Sequence, residues 1–352
     1  MKTVIIVGAG ATVAAAPNRS KKNTPPLDLT FFKQAEAAGS EGLEGIRRYM
    51  KENHGMDILI LGVSLEDVFN RIFTDIYIRE SDDPPIKAMW DLLQLYNRSI
   101  AQTTNELLDN SRDGVYGLIT KLLNYEDELE VVFITYNQDI MIEKALAKLK
   151  EVKSYSNRIK FSLSECYCMN FSTFRSLGRS KSKLPNDDGN SISILKLHGS
   201  LNWVYSVEKA KERNIILRQP KGDIICLTPK DIFVNLQKRK YGGTDQYYIP
   251  IIVPPVSEKT LRYSSILKDI RKLSGDHLRD AERIIVFGYS FPEADIMARN
   301  MISQAINTNN SIKDFIIIDI DPSVCTRIAR HSNLPSFKYY KSVKRFSAEY
   351  RH

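Results

Sequence analysis

Cysteine is scarce, with four residues in 352. So few cannot staple a disulfide scaffold, and the expected state is reduced thiols in a cytoplasmic protein. Only Cys166 and Cys168 are close in sequence, and no second pair exists. Structural zinc sites use paired ligands at wider spacing, so no zinc is expected. Long apolar runs are also missing. None reaches the ~18–20 residues of a membrane-spanning helix, so no membrane association is expected. The apolar stretch Met1 to Gly10 lacks the length and the cleavage site of a signal peptide. There is no internal repeat, no low-complexity tract and no long block of Lys and Arg. The basic residues around Arg19–Lys22, Arg175–Lys183 and Lys238–Lys240 are scattered among Ser, Asn and Gly and read as solvated surface. The net charge of +8 leaves room for an anionic ligand or partner, with nucleic acid expected only indirectly.

What is present is ordinary for a globular chain, with 43% hydrophobic and 26% charged residues. Five β-branched apolar runs stand out: Thr3–Val7, Val131–Thr135, Ser193–Leu197, Arg283–Phe287 and Phe315–Ile318. Each ends in small, polar or charged residues, and helical periodicity separates them. That alternation predicts an α/β fold, a Rossmann-like doubly wound parallel sheet. A single domain over 1–352 is expected, with a large helical insertion at about 31–123 after the first strand. Leu65, Val68, Phe69, Ile72 and Phe73 carry the helical spacing there, and Ser64 with Asp67 predicts a helix N-terminal cap. Segments at about 151–190 and 203–250 read as loop-rich insertions, with short extended stretches near 223–227 and 247–255. The proline-bearing stretch Pro17 to Pro26 reads as a loop over a ligand, and Phe337 to His352 is basic and aromatic with no role assigned.

Ligands of doubly wound sheets bind beyond the carboxyl ends of the strands, so the polar tips are the candidate site. Gly8-Ala9-Gly10-Ala11 follows the first strand at once and lets backbone N–H groups approach a phosphate, or simply makes a tight turn. The third glycine of the dinucleotide fingerprint is replaced by Val13. Asn137 offers donors and an acceptor to a ribose hydroxyl or a water, and otherwise caps the next helix. Asp139 has the same two readings. His198 ends a strong strand with an imidazole suited to a general base, or serves only structure. Asp319 and Asp321 end the last strong strand. They suit ribose hydroxyls, or the cap of the helix that Pro322 begins.

Taken together, these tips resemble one family. Gly8-Ala9-Gly10-Ala11, Thr135-Tyr136-Asn137-Gln138-Asp139, Leu197-His198-Gly199-Ser200-Leu201-Asn202-Trp203, Gly288-Tyr289-Ser290 and Asp319-Ile320-Asp321 occur in the order of sirtuin-like (Sir2-like) proteins. The match looks closest to the bacterial NAD-hydrolysing branch of antiphage defence systems, including members that pair with a HerA-type ATPase. The Asn-x-Asp and Leu-His-Gly-Ser elements carry most of the specificity.

The resemblance implies NAD as substrate. Asn137 and His198 match the two catalytic positions, and Asp139 the acid that accompanies the asparagine. Gly8, Ala9, Gly10 and Ala11, with Thr12, would cradle the phosphates. Gly288, Tyr289, Ser290, Asp319 and Asp321 would line the adenosine half, with Gly199 and Ser200 beside His198. Pro25 to Asp28 and Phe31-Phe32 would form the cofactor loop. Sirtuin deacetylases carry a four-cysteine zinc module, which this chain lacks. That departure points away from acyl-lysine recognition and toward an NAD glycohydrolase that depletes NAD in infected cells. The same branch implies a homo-oligomer triggered by a separate partner, such as a HerA-type ATPase or a short Argonaute. The alternatives are an NAD-dependent deacylase or ADP-ribosyltransferase, and a non-catalytic subunit that binds NAD or ADP-ribose.

Overall fold

The apolar runs are buried along their whole length because helices cover both faces of the sheet they form, as a parallel sheet requires. The fold is that of a computed structural model of the chain. It describes residues 1–16, 27–60, 63–78, 83–107, 110–126, 130–163, 165–168, 173–176, 179–180, 192–208, 224–228, 237–241, 244–252, 264–292, 295–333 and 336–351. The expected ligand-covering loop, Pro17 to Pro26, lies outside them, as does Pro254-Pro255.

The described strands are β1 (Thr3–Val7), β2 (Val131–Thr135), β3 (Thr173–Ser176), β4 (Arg179–Ser180), β5 (Ile192–Lys196) and β6 (Gly199–Glu208). They continue with β7 (Ile224–Leu227), β8 (Gln237–Tyr241), β9 (Thr244–Ile252), β10 (Arg283–Phe287), β11 (Asp314–Ile318) and β12 (Lys338–Tyr340). The helices are α1 (Ala9–Ala14), α2 (Phe31–Ala37), α3 (Leu43–His54), α4 (Leu65–Ile78), α5 (Asp83–Glu106) and α6 (Val115–Leu123). They continue with α7 (Met141–Glu151), α8 (Ser264–Arg279), α9 (Ile296–Thr308), α10 (Ser323–Ala329) and α11 (Val343–Glu349).

One sheet has the order β12-β11-β10-β1-β2-β5, with every pairing parallel. Numbered along that sheet alone, this is the 3-2-1-4-5-6 order of the Rossmann fold. The order reverses between β1 and β10, which makes their carboxyl ends the topological switch point. Right-handed crossovers send α6 and α7 to one face, where α11 joins them, and α8 and α9 to the other.

The sixth strand, β12, is absent from the sequence reading. It has three residues, lies at the sheet edge and is at best half-buried, so it has no apolar run to announce it. The basic C-terminal segment thereby has a structural role. Tyr350 stacks on Phe346, and its ring lies 5.8 Å from the guanidinium of Arg283. Arg283 is fully buried at the start of β10 and pairs with Glu126.

Among the described residues, the segments expected to be loop-rich at 151–190 and 203–250 contribute strands to a second six-stranded sheet, β4-β3-β7-β6-β9-β8. Its strands are joined antiparallel, except for the parallel pair of β3 with β7. The extended stretches read near 223–227 and 247–255 coincide with β7 and the apolar part of β9, whereas β8 and the start of β9 are hidden by their polar composition. Their ladder comes from cross-strand hydrogen bonds, and the sequence pattern reports only burial. At Gly199 the chain passes from the first sheet to the second. Gly199 has φ +78°, and a Cβ there would lie 2.0 Å from the Ile251 carbonyl oxygen, so only glycine fits this corner.

The helical block divides. Helices α2 to α5 share a core of their own, including Phe31, Phe32, Ile46, Phe69 and Leu92. Helix α6 packs with the sheet instead. Ser64 Oγ accepts the Asp67 amide at 3.0 Å, the cap that the spacing predicts.

Candidate active site

The tips of β1 and β2 are tied by side chains. The Asn137 amide nitrogen donates to the Gly8 carbonyl at 2.9 Å and to Thr12 Oγ1 at 3.0 Å. Thr12 in turn donates to Asp139 Oδ2 at 2.7 Å, and Asp139 Oδ1 accepts the Met141 amide at 3.0 Å. Asp139 thus starts helix α7 and anchors Thr12 at once. The Asn137 side chain does not cap α7; it bridges two strand ends. Its backbone is held too, since Asn137 N–H donates to Thr135 Oγ1 and Thr135 donates to the Val7 carbonyl, each at 3.0 Å. Both amide hydrogens of Asn137 are used inside the protein. Among the described residues no donor meets its Oδ1, which can accept from a ligand.

Asn137, Asp139, Thr12 and Ala11 line a small cavity of about 10 Å³, room for roughly one water, with Tyr116 also in its wall.

Gly8, Gly10 and Gly288 make the switch point tight. Gly10 N–H donates to the Gly288 carbonyl at 2.9 Å. Gly288 has φ +60°, and a Cβ on it would lie 2.1 Å from the Ala11 nitrogen. These glycines let the turn after β1 and the turn after β10 touch backbone to backbone. The turn residues Ala9 and Ser290 are exposed, and Ser290 uses its carbonyl to accept from Arg327 at 2.7 Å.

His198 stands at the corner between the two sheets and is half-buried. Its ring meets the edge of Tyr136, with centroids 5.1 Å apart, and Tyr136 stacks on Tyr289 at 4.8 Å. Burial pushes both tyrosine hydroxyls well up from their ordinary range, and the Asp295 carboxylate adds to it in each case. His198 and Tyr136 line a cleft of about 440 Å³ whose walls are α8, with Arg271 and Gly275, and α9, with Ala298 and Met301. Asn137 and His198 therefore line different cavities, and Tyr136, next to Asn137 in the chain, lines the one that holds His198. Ser200, just past His198, is buried and donates to Asn202 Oδ1 at 2.6 Å.

The remaining expected residues are more dispersed. Burial raises the Asp319 carboxyl at the end of β11, although it accepts the Asp321 amide at 2.8 Å. Asp321 is exposed, and its carboxylate accepts from Ser323 and Arg327 at the start of α10. These partners, Ser323 first, hold it down at about 2. Its capping reading is thus the one its hydrogen bonds match. Asp28 accepts the Glu66 amide at 2.9 Å and serves the start of α4. Phe32 lies in the core of the helical block against Phe31.

Sequence reasoning missed the parts played by four residues. Tyr96 on α5 donates to the Gln138 side chain, which fastens the helical block to the Asn137 loop. Thr135 was read only as a strand end. Lys196 and Glu143, both buried, lie behind Asp139. A lysine inside an apolar strand was the one visible signal.

The sequence matches no protein-family model and no curated protein. Solved structures similar to this chain include a Sir2 homolog–NAD complex. It is 13% identical, with 99% of this chain and 86% of that chain covered and a TM-score of 0.42. A Sir2 homologue mutant in complex with 2'-O-acetyl ADP ribose is also 13% identical, covering 99% and 90%, with a TM-score of 0.40. A third, from work on the mechanism and regulation of Sir2 enzymes, is 10% identical, covering 97% and 87%, with a TM-score of 0.38.

Proposed function

We propose that this protein binds NAD across the carboxyl ends of β1, β10 and β11 and hydrolyses its N-glycosidic bond, releasing nicotinamide and ADP-ribose. The observation that carries the reading is the hydrogen-bonded cluster of Gly8, Thr12, Asn137 and Asp139 at the switch point, with the His198 corner on the adjoining strand.

The chemistry asks little of the protein. Nicotinamide leaves as a neutral molecule from a cationic ring, so the breaking C–N bond needs no acid. The electron pair goes to the ring nitrogen, and the transition state resembles an oxocarbenium ion. In this reading the free Oδ1 of Asn137 accepts from a ribose hydroxyl and fixes the sugar. Thr12 and Asp139 keep the amide turned that way. Water adds to the ribose carbon, and His198 takes a proton from that water or from a ribose hydroxyl. The half-buried Asp319 carboxyl suits the adenosine ribose diol.

A second reading is favoured by the cleft beside His198. Its volume admits an acceptor larger than water, as deacylation or ADP-ribosyl transfer would need. Depletion of NAD in antiphage defence belongs to the first reading and follows from the resemblance. So does a homo-oligomer gated by a separate partner, a HerA-type ATPase or a short Argonaute.

The test is chromatographic. Purified protein is mixed with NAD, and nicotinamide and ADP-ribose are followed over time beside His198→Ala and Asn137→Ala. Both variants are expected to lose turnover, by about 100-fold or more, with the unfolding midpoint of His198→Ala near that of the parent and that of Asn137→Ala lowered by the two hydrogen bonds it gives up. Unaltered turnover in either variant would sink its assigned role. If the isolated protein is silent, candidate ATPase partners and nucleic acid are added to the same assay.

A further inference from the structure

Lys196 and Glu143 form an ion pair deep in the protein. Each side chain is 1% exposed, and Lys196 Nζ lies 3.2 Å from Glu143 Oε1. Their places in the chain matter. Lys196 ends β5 two residues before His198, and Glu143 sits in the first turn of α7, four residues after Asp139. The ammonium also donates to the Asp139 carbonyl.

The pair continues outward through a polar relay. Tyr167 OH donates to Glu143 Oε1 at 2.8 Å, and Asn202 donates to Tyr167 OH at 2.9 Å. Ser200 donates to Asn202 at 2.6 Å. The relay thus starts at Asp139, beside Asn137, and ends at Ser200. His198 is held on both sides, by Lys196 before it and Ser200 after it.

Stability does not account for such a pair. Burying two charges costs so much desolvation that well-packed apolar residues of similar volume are often neutral or better. Here Glu143 Oε2 has no hydrogen-bond partner among the described residues, so the carboxylate is not even fully served. What an ion pair supplies and apolar packing does not is direction. The ammonium donates to the Asp139 carbonyl and meets the Glu143 carboxylate at once only in one arrangement.

We propose that Lys196 and Glu143 are positioning residues, which through Tyr167 and Asn202 hold the Asn137–Asp139 loop and the His198 corner in one register. The proposal rests on the NAD-cleaving reading above. It adds two residues that neither touch the substrate in that reading nor belong to the motifs at the strand tips.

The test is the double variant Lys196→Met with Glu143→Gln. It removes both charges and keeps an oxygen to accept from Tyr167. Unfolding midpoint, nicotinamide release and the imidazole NMR signals of His198, assigned with His198→Ala, are measured together. The expected result is a midpoint near that of the parent. Turnover falls about 100-fold through kcat with KM little changed, as a sub-ångström to 1 Å misplacement produces. The His198 signals move. Tyr167→Phe, a milder cut in the same relay, is expected to lower kcat about tenfold and to move the same signals. It decides the matter if the double variant does not fold. A folded variant with the parent's kcat and unshifted His198 signals overturns the proposal. If the parent releases no nicotinamide even with the candidate ATPase partners and nucleic acid added, the functional reading fails. The imidazole signals then decide the positioning claim alone, shifted in its favour and unshifted against it.

Discussion

Replacing Thr12 by Val removes one hydroxyl and little else, so it probes the cluster at the switch point directly. Thr12 is buried, donates to the Asp139 carboxylate at 2.7 Å and accepts from Asn137 at 3.0 Å. Valine fills the same volume and leaves no cavity, so the packing contribution is small. A hydrogen bond to a charged group contributes about 1.5–3 kcal/mol, and the neutral bond about 0.5–1.5 kcal/mol. Asp139 keeps the Met141 amide and Asn137 keeps the Gly8 carbonyl, so neither is left bare. The expected loss for Thr12→Val is therefore about 2–4 kcal/mol, while Thr12→Ser, which keeps the hydroxyl, stays under about 1.5 kcal/mol. Urea unfolding of both variants reads the difference, and nicotinamide release run beside it is expected to fall only in the valine variant. If the two variants unfold within about 0.5 kcal/mol of each other, the cluster does not tie the strand tips as argued.

Asp314 gives a pH-dependent test of the C-terminal docking. Burial pushes its carboxyl up, but hydrogen bonds from Lys338 and Tyr350, with the charges of Lys338 and Arg283, outweigh that and hold it below the ordinary range. A carboxyl lowered on folding stabilises above its unfolded value, and the gain is lost as pH falls through the folded one. Asp314→Asn should thus cost about 1 kcal/mol at neutral pH, allowing for the half-exposed Lys338, and nothing once both forms are protonated. Urea unfolding at neutral and strongly acidic pH checks it; an equal loss at both would contradict the sign. Asp319 has the opposite sign. Burial raises its carboxyl, so its contribution is full below the ordinary carboxylate range and is lost as pH rises through the raised value. Asp319→Asn should raise the unfolding midpoint at neutral pH yet weaken NAD binding about tenfold or more, if the carboxylate holds the ribose diol. Calorimetric titration with NAD beside thermal unfolding separates the two effects.

Much of the parallel sheet was legible because its strands are buried on both faces and so read as unbroken β-branched runs. Those five runs, their polar tips and the glycine turn at Gly8 follow from local composition alone. Less was legible where burial is partial. Strand β12 is short and sits at an edge, and β8 is polar, so pairing rather than pattern defines them. Asp321 was ambiguous in sequence between a ribose ligand and a helix cap, and its bonds to Ser323 and Arg327 match the cap.

The sequence by itself therefore determined which segments are strands of a buried sheet and which polar residues stand at their ends. Only the tertiary structure decided the strand order, and with it that β1 lies between β10 and β2. That order brings Gly8 and Thr12 to Asn137 across more than a hundred residues and presses Gly10 against Gly288. It also places a buried lysine opposite Glu143. Periodicity records only whether each residue faces water. Which distant backbones meet depends on how the crossovers return, and a hydrogen bond between strand ends exists only after they have.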